Sequence, residues 1–274
     1  MTNKNPMSAP EPWTMVAEGY VTDTKPLFEQ YCRKAMEQVG FDGNGKVLDV
    51  ACGPGTLSLL IHGDAKEIHA IDFSPGMLEC FNRELTRQGI ENVTTWHMDG
   101  QNLEFGDNEF DWAFSIFGLM FFPDRIKGFR EIRRTLKPGG GAAVTSWAPL
   151  SDSPGMQLMF GAIQEAFPKK PESDGQKVLN LEDPKNFRRE MEEAGFVDIE
   201  ITHFDGSWPV ESVESFLDSM IRGSAPLVML KNAVGEEVWA GKRAVMLEFL
   251  ADRFTDLPTT LHSRAFIGTG RKHS

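Results

Sequence analysis

Residues 47–56 read VLDVACGPGT, and residues 71–78 read IDFSPGML. The first stretch is a short apolar run that carries Asp49, passes through the Gly53-Pro54-Gly55 turn and enters a helical pattern. The second ends another apolar run in Asp72. This is the start of a strand–helix–strand unit, which seats a ligand at the carboxyl ends of parallel strands and places its second acid for a ribose diol. Gly53 and Gly55 let backbone approach a ligand closely, because a Cβ would obstruct it.

The turn separates two ligand chemistries. A dinucleotide asks for G-x-G-x-x-G, with the third glycine admitting close helix packing and the backbone cradling a pyrophosphate. Here the third position is Ser58, and Asp49 stands four residues before Gly53, where a pyrophosphate would find it repulsive. A cation would find it attractive. S-Adenosylmethionine offers an ammonium and a sulfonium and no phosphate, so the acid favours it over a nicotinamide dinucleotide. Asp49 is then expected to orient the amine, with Ala51 and the two glycines beside the methionine half. Asp72 is expected to take both ribose hydroxyls, and Phe73 and Met77 to flank the adenine. Met77 equally fits a core stripe with Phe81 and Leu85. Ser115, at the mouth of the fourth strand, lies where a sulfonium would sit.

Five stretches in order, VLDVACGPGT (47–56), IDFSPGML (71–78), HMDGQNLEF (97–105), FDWAFSIFGLMFFPD (110–124) and LKPGG (136–140), resemble the class I S-adenosylmethionine-dependent methyltransferases. The resemblance is to the small-molecule branch that includes the ubiquinone and menaquinone C-methyltransferases, and it covers residues 40–148. It implies a doubly wound, mostly parallel α/β sheet of seven strands in the order 3-2-1-4-5-7-6, the last strand antiparallel. It also implies an acid against the adenine amino group at Asp99, flanked by Gly100 and Gln101, although Asp99 equally suits a turn cap. At Tyr20 it implies a helix that closes over the cofactor and a hydroxyl contact to the methionine carboxylate. The product of such an enzyme is S-adenosylhomocysteine.

Periodicity places strands at 46–51, 67–71, 92–97, 110–116, 142–147, 196–204 and 262–268. Helices are expected at 56–62, from Ser74-Pro75 to about 88 (an N-cap followed by proline in the first turn), and at 123–136, 184–194 and 234–254. Helices over 13–39 should break near Pro26. Residues 1–12 are polar and Pro-rich and are expected to be disordered. Residues 13–274 then make one domain, a core of 40–148 with capping segments at 13–39, 149–182 and 207–256.

Composition narrows the partners. A net charge of −12 over 274 residues argues against a nucleic-acid substrate. The basic run Arg125, Lys127, Arg130, Arg133, Arg134 and Lys137 reads as the solvated face of a helix that buries Phe129, Ile132 and Leu136. Three scattered cysteines fit a reducing cytoplasm, and six histidines show no ligand spacing, so no metal is expected. No apolar run is long enough for a membrane span.

Methyl transfer needs alignment more than a catalytic triad, and none is visible. His97, His203 and Tyr31 are the candidates for a general base. His203 alternates with Val197, Ile199 and Ile201, which places it on the packed side of its strand. Loops after the strands are rich in Phe and Met, and Phe117, Phe121, Trp147, Met156, Phe160 and Met220 are expected to wall an apolar or aromatic acceptor site, with Arg222 as an anchor for an acidic substituent. The acceptor is a small molecule, methylated on O, C or N. A cofactor-binding partner subunit that has kept the fold and an NAD(P)-dependent oxidoreductase are the alternatives. The oligomeric state is left open between monomer and homodimer.

Overall fold

A computed structural model describes residues 5–168 and 180–274. Its centre is a sheet in the order β3-β2-β1-β4-β5-β7-β6. The strands are β1 (Lys46–Val50), β2 (Glu67–Asp72), β3 (Val93–His97), β4 (Phe110–Ser115), β5 (Leu136–Trp147), β6 (Val197–Val210) and β7 (Thr259–Arg271). β1 to β5 pair in parallel, and β7 runs antiparallel between β5 and β6. The order that the resemblance implied is the order found.

β1, β2 and β4 are buried along nearly their whole length, as parallel strands covered on both faces must be. Alternate residues serve opposite faces: Leu48, Val50, Ile71 and Ala113 join one core, while Val47, Ile68, Ala70 and Phe114 join the other. The helices on these faces are α2 (Lys25–Val39), α3 (Thr56–Ile61), α4 (Pro75–Gln88), α5 (Arg125–Thr135) and α7 (Pro184–Glu193). Ser74 caps α4 by accepting from the Met77 N–H, with Pro75 in the first turn and left-handed Gly89 closing its end. The basic run along α5 and into β5 is held largely in a structural network. Arg125 pairs with Glu190, Arg134 with Glu131 and Asp107, and Lys137 with Asp111, while Arg133 donates to the Gly195 carbonyl.

A separate apolar cluster lies beyond the sheet. It is built by α6 (Pro154–Ala166), α8 (Val213–Gly223), α9 (Ala225–Val234) and α10 (Glu236–Ala251), with Phe216, Leu217, Leu227, Trp239, Met246 and Leu250 at its centre. Among the described residues no helix is long and apolar enough to cross a membrane.

Two expectations need correction. Residues 5–12, expected to be disordered, form a short turn at Pro6–Ser8 and open α1 (Pro10–Gly19); Met7 is buried, and residues 1–4 lie outside the described part. The helical break lies near Pro26 as expected, in a π-helical turn, Tyr20–Thr24, with Pro26 in the first turn of α2. The expected strand at 196–204 continues to Val210, because β7 begins at Thr259 and pairs with it throughout. Gly206 and Pro209 lie within the extension. An edge strand tolerates a proline, and Gly206 is needed for close approach, since a Cβ there would meet the Tyr31 hydroxyl at 2.4 Å. Of the capping segment at 149–182, residues 169–179 lie outside the described part.

Candidate functional site

The strand order reverses between β1 and β4, and a cavity opens at their carboxyl ends. Its floor is the turn after β1. Ala51 and Gly53 both take positive φ, 56° and 55°, and the Cys52 N–H donates to the Ile71 carbonyl at 2.9 Å. Asp72 ties the turn down: its carboxylate accepts the Gly53 N–H and the Ser74 N–H, each at 2.8 Å. Asp49 accepts from the Ser58 hydroxyl at 2.6 Å. Ser58 therefore does what a third glycine could not, which is to hold the acid that distinguishes this turn from a dinucleotide loop.

Both carboxylates are nearly inaccessible, Asp49 at 2 % and Asp72 at 4 %. Burial pushes Asp49 up to about 7, with the Ser58 hydrogen bond opposing and the charge of Asp72 adding to the rise. Burial pushes Asp72 up to about 6, against the backbone N–H groups of Ser74 and Gly53. Tyr20 also borders the cavity, and burial followed by the nearby Asp72 charge raises its phenol well above the ordinary range. Among the described residues lining the cavity there is no lysine, arginine or histidine. Two buried acids and no cation make a site that lacks positive charge.

Ten of the twelve residues expected around the cofactor line this cavity: Tyr20, Asp49, Ala51, Gly53, Asp72, Phe73, Met77, Asp99, Gly100 and Gln101. Met77 borders the cavity and is buried, but it packs with Met7, Val16 and Cys80 rather than in the cluster that holds Phe81 and Leu85. Asp99 caps its turn, accepting from the Gln101 N–H at 2.9 Å, and lines the cavity as well. Gly55 and Ser115 do not line it. A Cβ on Gly55 would lie 2.2 Å from the Phe81 ring, so this glycine serves the packing of α4 against the turn. Ser115 is fully buried, and its hydroxyl accepts the Leu119 N–H at 3.1 Å, shaping the loop after β4.

None of the three candidate bases reaches the cavity lining. His97 is exposed and its Nε2 pairs with the Phe73 carbonyl at 3.0 Å. His203 is exposed on the edge strand β6 rather than packed, as alternation had placed it. Tyr31 is fully buried and donates to the Ser263 carbonyl at 2.5 Å. Tyr31→Phe is therefore expected to cost about 1–3 kcal/mol in urea unfolding, by leaving that carbonyl without its donor.

On the acceptor side, Phe117, Phe121 and Trp147 line the cavity, whereas Met156, Phe160, Met220 and Arg222 do not. Phe160 is 45 % exposed on α6, and Met220 packs into the separate cluster of the cap. Arg222 is held by Asp23, donating to both carboxylate oxygens at 2.8 and 2.7 Å. Phe117 has φ 57°, and its N–H donates to the buried Thr145 hydroxyl at 2.8 Å. That turn lays its ring on Trp147, centroids 4.1 Å apart, with Phe28 against it at 4.7 Å. Trp13 meets Phe121 at 4.8 Å.

Met7, Ser8, Trp13, Phe28 and Met98 line the cavity without having been expected there. The first three come from the N-terminal segment, where the Ser8 hydroxyl donates to the Phe121 carbonyl at 3.1 Å and the Thr14 and Ser74 hydroxyls lie 2.9 Å apart. Trp13 and Phe28 carried the one usable signal, an aromatic on either side of Tyr20.

A nicotinamide dinucleotide would set its pyrophosphate against Asp49, which lines the cavity beside the turn. A ligand with an ammonium and a sulfonium would supply the missing positive charge, and Gly53 leaves it room, because no atom lies nearer than 4.0 Å to a Cβ built there. The residues present fit S-adenosylmethionine.

Comparison with known proteins agrees. Residues 47–140 match a family model described as a methyltransferase domain. A demethylmenaquinone methyltransferase of Staphylococcus aureus is 32% identical over 195 residues, covering 65% of this chain and 80% of that protein. Two solved structures share the fold. The YcgJ protein of Bacillus subtilis has a TM-score of 0.57 at 17% identity, covering 89% of this chain and 98% of that one. Phosphoethanolamine N-methyltransferase 2 of Haemonchus contortus, in complex with S-adenosylmethionine, has a TM-score of 0.56 at 19% identity, covering 89% of this chain and 53% of that one.

Proposed function

The chain belongs to the class I S-adenosylmethionine-dependent methyltransferases and resembles those that act on quinones, and we propose that it methylates a small, apolar and aromatic acceptor held in the crevice at the ends of β1 and β4. The observation that carries the proposal is the pair of buried acids, Asp49 and Asp72, facing an aromatic cavity whose described lining has no basic side chain.

When bound, S-adenosylmethionine supplies a methyl group on a sulfonium, displaced in line by a nucleophile. The task of this chain is alignment and exclusion of water, and well-oriented reactants can save about 7–11 kcal/mol of barrier. Asp49 would face the ammonium, and Asp72 the ribose hydroxyls. Phe73, Met77 and Asp99 would surround the adenine. Tyr20, on the π-turn that ends α1, would close the methionine end. With Trp13, Phe28, Phe117, Phe121 and Trp147 walling the rest, the space left for the acceptor suits a flat apolar ring. The Staphylococcus aureus relative is named for a quinone acceptor, which supports the same class.

Residues 13–274 are read as one catalytic unit, to which the ordered segment from Met7 now also contributes. Three buried free cysteines support a reducing, cytoplasmic setting.

A radiolabelled-methyl screen across phenols, quinols, fatty acids and amines tests the acceptor class. Label is expected in a phenol or quinol. Transfer confined to aliphatic amines or fatty acids would overturn the aromatic assignment while leaving methyl transfer in place.

A further inference from the structure

Ser58 sits where a dinucleotide loop would carry its third glycine, and both it and Asp49 are buried, at 0 % and 2 % exposure. Its hydroxyl donates to Asp49 Oδ2 at 2.6 Å, and its backbone N–H is directed to the same carboxylate. An acid buried this deeply can ionise only if such donors support it, and the charge-assisted bond fixes which way the carboxylate points. Asp49 is also a lining residue of the cavity. The serine thus grips one side of the acid and leaves its remaining acceptor capacity to the crevice.

We propose that Ser58 is a positioning residue for the ammonium of S-adenosylmethionine, acting through Asp49. The inference rests on the assignment of the crevice to that cofactor and adds a device to it: the serine keeps the carboxylate aimed and ready to lose its proton when the ammonium arrives. Other titratable groups face Asp49 from each side. Asp72 comes from β2, Cys32 from α2, and Cys52 from the turn itself. Both thiols are pushed up by burial and by the acids, so they stay neutral. Asp72 is the one neighbour that titrates in the same range, and it has backbone donors of its own.

The test is binding of S-adenosylhomocysteine, which keeps the ammonium, by calorimetry from pH 5.5 to 8.5 in two buffers of different ionisation enthalpy. Wild-type affinity should rise as pH passes through about 7, with release of a proton on binding at pH 6.5. In Ser58→Ala the midpoint should move up by about one unit, so that affinity falls roughly fivefold at pH 7, close to tenfold at pH 5.5 and hardly at all at pH 8.5. Ser58→Cys, close in volume and a weaker donor, should fall between, and it carries the test should the alanine variant not fold. Asp49→Asn should flatten the part of the profile that titrates near 7. A role in packing alone would lower the melting temperature and weaken binding by one factor at every pH, and that result, or unchanged affinity, overturns the proposal. A wild-type protein that binds no S-adenosylhomocysteine at any pH instead overturns the crevice assignment, and the inference with it.

Discussion

Asp72→Ala is expected to weaken S-adenosylhomocysteine binding about 100- to 1,000-fold at pH 7.5, the larger of the two expected losses of affinity that stem from a single polar group. Two ribose hydroxyls donating to a buried carboxylate contribute about 1.5–2 kcal/mol each, the lower part of the range for charged acceptors, and alanine removes both. It also frees the N–H groups of Gly53 and Ser74, each now held at 2.8 Å, so the turn beneath the cofactor loses its anchor. Asp72→Asn separates the two effects. An amide oxygen can still accept one backbone N–H, so the turn should persist while the charge is gone, and a loss nearer tenfold is expected.

Unfolding of the ligand-free protein supplies an independent check, because its sign is opposite. Burial raises Asp72 to about 6, above its ordinary value of 3.8, so its contribution favours the folded state at low pH and is lost as pH rises through about 6. Above that, the folded chain holds an ionised acid in a site without a cation. Removing the group removes that cost. The melting temperature of Asp72→Ala relative to wild type should therefore be higher at pH 8 than at pH 4.5, even as binding collapses. A variant that binds normally removes Asp72 from the site.

Much of the crevice was legible because it is local. Asp49, Gly53 and Asp72 lie at the ends of short apolar runs, and backbone geometry alone sends strand ends and their turns to one edge of a parallel sheet. Asp99, after β3, was legible only through the resemblance to the family. What failed depended on contacts far apart in sequence. Arg222 looked like a free anchor, but Asp23, some two hundred residues earlier, occupies it with two hydrogen bonds. Tyr31 had the chemistry of a base, and only the approach of β7 shows that the Ser263 carbonyl takes its proton donor. Phe160 and Met220 had the composition of an acceptor wall, yet Phe160 on α6 faces solvent and Met220 on α8 packs into a different cluster. Met7 was hidden by its polar neighbours. Its burial comes from the way α1 lies over the crevice, which no short-range pattern encodes.

Gly53 and Gly55 are two residues apart and indistinguishable as sequence, and they should fail in opposite ways when each is replaced by valine. Both have positive φ, 55° and 82°, so either substitution incurs backbone strain of about 1–2 kcal/mol. At Gly53 that strain is nearly the whole structural cost, since the nearest atom to a new Cβ is the Met77 sulfur at 4.0 Å. The added carbons stand at the crevice where the methionine half of the cofactor would lie, so Gly53→Val should fold, melt a few degrees lower, and show no measurable affinity for S-adenosylhomocysteine. At Gly55 the Cβ would lie 2.2 Å from the Phe81 ring, itself fully buried between α4 and the sheet. Overpacking of a closed core adds about 1–3 kcal/mol or more to the strain. Gly55→Val should therefore lose a large part of the stability of a protein that has only about 5–15 kcal/mol in total. Whatever fraction stays folded has an unblocked crevice and should retain affinity within about tenfold of wild type. Thermal unfolding and calorimetry on the same two preparations decide the matter. Loss of binding without loss of stability at Gly55, or the reverse at Gly53, would mean that the cofactor lies on the other side of this turn.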